Sequence, residues 1–126
     1  MILVDLAAGT LLFRAHAPRW AFKPLSGEGA ARQGGRFNRP GVPALYLSLE
    51  LATAASEYQQ TSTFLPPCTL CSYRAALRRM VDLRQLYRGE PWDDLWHDWS
   101  ADWRCLQFNL HIEPPSWVLS DMVLAQ

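Results

Sequence analysis

Arg14, Arg32, Arg36, Tyr46 and Glu57 are residue types that can act together on one kind of substrate. Planar guanidinium groups grip phosphates through forked hydrogen bonds. A tyrosine ring stacks on a base, and a carboxylate stabilises a developing oxocarbenium ion or orients a nucleophile. The set suits a phosphorylated sugar undergoing carbon–nitrogen bond cleavage, although composition alone does not select that chemistry. Every basic residue except Lys23 is an arginine, a bias that an anionic ligand or a GC-rich genome would equally produce.

The elements that must position these residues can be read from the pattern. Leu11 to His16 reads as a strand that sets Arg14 among apolar neighbours and puts His16 on the same face. Residues 24 to 43 hold Gly27, Gly29, Gly34, Gly35 and Gly41 together with Arg32, Arg36 and Arg39. A glycine-rich loop lets backbone approach a ligand while arginines hold its phosphates. A surface loop with incidental arginines is the alternative. No Gly-x-Gly-x-x-Gly opens a helix, so a dinucleotide fingerprint is excluded.

Ala44 to Ser48 reads as a compact strand, with Ser48 as N-cap of a helix over Leu49 to Gln59. Tyr46 then closes a strand, and Glu57 lies on the helix beside the small residues Thr53 and Ala54. Cys68 to Leu77 and Met80 to Leu83 have strand character. From Pro91 the spacing becomes helical, with Trp92, Leu95, Trp96, Trp99 and Trp103 forming one stripe, read as core packing ahead of a partner-binding groove. A last helix starts near Ser116 and carries Trp117, Met122 and Leu124.

Two other chemistries fit less well. Cys68 and Cys71 with Cys105 and His97 or His111 could make a zinc set, but Thr, Leu, Ser and Tyr around the first pair favour a strand over a knuckle. A thioredoxin-like role needs the pair to open a helix. His111, between Leu110 and Ile112, reads as a satisfied structural histidine, and His16 is the histidine to examine first.

At 126 residues the chain provides for one domain, residues 1–126. With 49% hydrophobic and 19% charged residues it is not disordered. A net charge of +0 argues against bulk electrostatic attachment to nucleic acid or anionic membrane. No segment reads as a membrane span or signal peptide. Three cysteines, an odd number, fit a reducing cytoplasm.

The runs Leu12-Phe13-Arg14-Ala15-His16, Gly29 through Gly34-Gly35-Arg36-Phe37-Asn38, Gly41 through Tyr46-Leu47-Ser48, and Ala54-Ala55-Ser56-Glu57 resemble the RES domain, named for an arginine, a glutamate and a serine. Ser72-Tyr73-Arg74 through Asp82-Leu83 and Pro115-Ser116-Trp117 are weaker later landmarks. The resemblance implies an α/β (α+β) fold, an ADP-ribosyltransferase-like small mixed sheet flanked by helices. It implies a bacterial type II toxin, cytoplasmic, paired with a helix-turn-helix antitoxin that blocks the active site. NAD would be its substrate, with no metal, no membrane and no direct nucleic-acid binding. The activity implied is cleavage of the nicotinamide–ribose bond with phosphate or water as acceptor. The alternatives are transfer of ADP-ribose to a protein acceptor, or an inactive antitoxin-binding module.

Carried over by position, Arg14 and Arg36 hold the NAD phosphates and ribose, Arg32 assists, Tyr46 packs on nicotinamide and Glu57 acts at the scissile ribose. The family's serine lies in a Pro-Ser pair on a strand after the last helix. Here Ser116 follows Pro115 but precedes that helix, and it is carried over as the substitute serine in NAD binding. The expectation is therefore a C-terminal truncation that removes the last strand, or a short member whose third signature residue comes from elsewhere.

Overall fold

A computed structural model describes residues 3–60, 62–85 and 98–125. The architecture is α+β, with its described residues in two compact units.

One unit comprises Asp5–Ser26 and Leu45–Arg78. Its centre is an antiparallel pair, β2 (Thr10–His16) and β3 (Thr69–Ala75); β1 (Leu3–Val4) belongs to the other unit. The register sets Leu12 opposite Tyr73, Arg14 opposite Cys71 and His16 opposite Thr69. Successive strand residues face opposite sides, so these six side chains share one face. Leu12 and His16 are buried there, whereas Leu11 is exposed. Helix α2 (Leu51–Gln59) packs against β2 and buries Ala54, whose small side chain permits close approach.

The other unit comprises Met1–Val4, Gly27–Ala44 and Arg79–Gln126. It contains β1 (Leu3–Val4) antiparallel to β4 (Met80–Val81), the short helix α1 (Glu28–Gln33) and helix α3 (Pro115–Leu124). Pro115 opens α3 at a position where its missing N–H costs nothing. Leu119 is the centre of the core, with Leu83 and Trp99 against it, and Trp103 and Trp117 are also buried.

Several expectations need correction. The glycine-rich stretch is not loop throughout, because residues 28–33 form α1. Ala44 to Ser48 is not a full strand. It meets β2 only where Ser48 and Phe13 exchange backbone hydrogen bonds of 2.7 and 2.8 Å. Ser48 is therefore not the N-cap; Glu50 takes that position with extended backbone and without a side-chain cap bond. His111 is exposed with φ of 54°, so it is not a buried structural histidine. The tryptophan stripe lies partly outside the described residues, with Trp92, Leu95 and Trp96 among those not described. At its end Trp99 stacks on Phe37 at 6.1 Å, and residues 105–109 form a π-turn. No described helix is long and apolar enough to cross a membrane.

Candidate functional site

Arg14, Tyr46 and Glu57 belong to the first unit, and Arg32, Arg36 and Ser116 to the second. In the first unit, Arg14 projects from the buried face of β2, half-buried, and donates from Nη1 to the Ser26 carbonyl at 3.1 Å. Tyr46 lies two residues before the Ser48–Phe13 bridge and keeps 40% of its surface exposed. The bridge thus ties the Tyr46 segment to the strand bearing Arg14. Glu57 is exposed on α2, the helix that packs on that same strand. Local structure brings these three residues onto adjoining elements.

The second unit is built around the Gly-Gly-Arg-Phe-Asn run. Gly34 ends α1 with φ of 81° and ψ of 173°, backbone nearly confined to glycine. Gly35 and Asn38 then close a short bridge, the Gly35 N–H donating to the Asn38 carbonyl at 2.9 Å. Asn38 is 3% exposed, and its amide donates to the carbonyls of Ala30 (2.9 Å) and Val42 (2.8 Å). One side chain thereby fastens α1 to the far end of the loop at Val42. Arg32 is exposed in the last turn of α1, where a cation complements the helix dipole.

Arg36 is half-buried and donates from Nη1 to the Ala101 carbonyl at 3.0 Å. Its own carbonyl accepts the hydroxyl of Ser116, and the Gly35 carbonyl accepts the Trp117 indole N–H at 2.7 Å. Ser116, 1% exposed, therefore holds the backbone of Arg36. Arg39 completes the clamp by pairing with Glu113 and, at 2.7 Å, with Asp121, its guanidinium 5.7 Å from the Trp117 ring centre. Three consecutive functions of the loop, its turn, its backbone and its charge, are thus fixed by the first turns of α3 and by Asn38.

Sequence reasoning did not single out Asn38, Arg39 or Trp117 as positioning residues. Asn38 was legible as part of the motif, while the partners of Arg39 and Trp117 depend on where α3 docks. It also did not anticipate that His16 lies 3.2 Å from the Cys71 sulfur.

The RES domain family model matches residues 11–126. The chain belongs to the RES domain family. The match spans both the Arg14 strand and the Ser116–Trp117 helix start, so every RES signature position considered above falls within it. No curated protein and no solved structure matches the chain.

Proposed function

We propose that this RES domain consumes NAD as substrate by cleaving its nicotinamide–ribose bond, and acts as the toxin of a type II toxin–antitoxin pair. Family membership, together with Arg14, Arg36, Tyr46 and Glu57 at the motif positions, carries this reading. Arg14 and Arg36 neutralise the dinucleotide phosphates, each guanidinium already oriented by a backbone carbonyl. Arg32 is an auxiliary phosphate contact. Tyr46 presents an exposed ring for stacking on nicotinamide.

Cleavage needs little covalent participation by the protein. The ring nitrogen of nicotinamide in NAD is cationic, so when the C1′–N bond breaks its electron pair returns to the ring and neutral nicotinamide leaves. Glu57 accepts hydrogen bonds from the ribose hydroxyls and puts negative charge beside the ribosyl cation. Water or phosphate then bonds to C1′ and loses a proton. Ser116 contributes through the Arg36 backbone and not by touching substrate. A helix-turn-helix antitoxin that covers the site, and a cytoplasmic setting, complete the proposal.

Incubation with NAD labelled in the ADP-ribose moiety tests it. Release of nicotinamide with label in soluble ADP-ribose or its phosphate is the expected result. Label on protein reassigns the acceptor. NAD left intact while a cognate antitoxin binds tightly overturns the enzymatic reading in favour of a binding module.

A further inference from the structure

His16 and Cys71 form a pair that the proposed NAD chemistry does not use. His16 is 3% exposed. Its Nδ1 lies 2.9 Å from the Ala17 carbonyl, which can only accept, so Nδ1 carries the hydrogen. In the neutral ring Nε2 is then an acceptor, and it faces the Cys71 sulfur at 3.2 Å. The thiol therefore donates to an imidazole held in the tautomer able to take its proton. A base within hydrogen-bond reach of a nucleophile, itself oriented by a third group, is the arrangement that activates cysteines.

The neighbours add a charge. Arg14 is directly across the ladder from Cys71. The Tyr73 phenol is held above its ordinary range, first by burial and then by the Cys71 sulfur beside it, with Arg14 acting in the opposite direction. Tyr73 is fixed in turn by donating to the Pro24 carbonyl at 2.6 Å. The sulfur thus sits half-buried beside a proton acceptor and the Tyr73 phenol, on a face that also carries the Arg14 cation, a setting that favours reaction with an anionic electrophile.

The geometry points to Cys71 as a nucleophilic thiol that forms a mixed disulfide with a small anionic disulfide, and so controls Arg14. In the exchange Cys71 Sγ bonds to one sulfur of the reagent and the reagent's S–S bond breaks. The second sulfur leaves as a thiolate with the electron pair, and the thiol proton passes to His16 Nε2 and on to solvent. The attached group then occupies space beside Arg14 and Tyr73 and displaces the guanidinium from the Ser26 carbonyl. The consequence for NAD rests on the proposed role of Arg14; the reactivity of the thiol does not.

The test uses the intact protein and an aromatic dicarboxylate disulfide whose released thiolate is coloured. One of the three cysteines reacts in a fast phase. That phase disappears in Cys71→Ser, persists in Cys68→Ser and Cys105→Ser, and slows about 100-fold in His16→Asn, which keeps a donor for the Ala17 carbonyl but removes the distal base. Circular dichroism of His16→Asn shows whether it is folded, and His16→Gln provides a second variant. A fast phase that survives Cys71→Ser, or is unchanged in folded His16 variants, overturns the assignment. Oxidised glutathione then lowers NAD turnover, reversibly with a thiol reductant and not in Cys71→Ser. Fast labelling without loss of turnover overturns the control of Arg14. A protein that never consumes NAD refutes the proposed function while leaving the labelling result intact.

Discussion

Gly34→Ala probes the arginine-bearing loop most sharply. With φ of 81° and ψ of 173°, the site disfavours a side chain by on the order of 1–3 kcal/mol. A Cβ there would lie 2.9 Å from the Asn38 carbonyl oxygen, 3.1 Å from Pro40 Cδ and 3.2 Å from the Trp117 ring. That carbonyl is held by the Gly35 N–H, and breaking the bond to make room adds about 1 kcal/mol. The total is about 2–4 kcal/mol. Unfolding entropy of about 2.1 cal/mol/K per residue makes each kcal/mol roughly 4 °C in a chain of 126 residues. The expected loss of Tm is therefore about 8–15 °C. Gly9→Ala is the control. Its φ of 84° is similar, but nothing lies within 4 Å of the added Cβ, so only backbone strain remains, about 1 kcal/mol and a few degrees. Thermal melts followed by circular dichroism compare the two. Equal losses of Tm would refute the claim that Gly34 is wedged between the Asn38 carbonyl and Trp117.

Asn38→Asp removes the amide donor to the Ala30 and Val42 carbonyls and sets a buried charge against them; a loss of about 3–5 kcal/mol in denaturant unfolding is expected. Arg36→Ala should raise KM for NAD roughly 10- to 100-fold, the worth of about one charge-assisted hydrogen bond, with a much smaller change in kcat; unchanged affinity would make the loop purely structural. Tyr73, whose phenol is raised above its ordinary value of about 10, binds its proton more tightly folded than unfolded. Its contribution to stability is complete below about pH 10 and is lost as pH rises through the folded value. Stability of Tyr73→Phe should therefore fall less steeply than that of wild type between pH 9 and 11, as measured by urea unfolding.

Much of the fold was legible where side-chain alternation is decided by burial. Leu12 and His16 are buried and Leu11 is exposed, so β2 could be read, and with it the shared face of Arg14 and His16. Helix α3 and strands β3 and β4 fell close to their expected places. Helix α1 was not legible because Gly27 and Gly29 argue against a helix; it is held from outside, by the Asn38 amide on Ala30 and the Gly41 N–H on Ala31. Ser48 looked like a cap because its side chain suits one, but its backbone groups are committed to Phe13. The His16–Cys71 pair follows from the register of β2 with β3, which residues 17 to 68 between them do not reveal. Within the candidate site, residue types and motif spacing nominated the charged groups. The carbonyls and the helix that orient those groups became visible only with the tertiary structure.

Nicotinamide release from NAD, measured for the wild-type protein and for Glu57→Gln side by side, bears most directly on the proposed chemistry. Glu57 is exposed on α2, so the amide should leave the melting temperature within about two degrees. Release by the wild-type protein, and a fall of about 100-fold or more in kcat for the folded variant, is the predicted result. Near-normal release by Glu57→Gln would remove the carboxylate from the mechanism, and no release by the wild-type protein would contradict NAD cleavage itself.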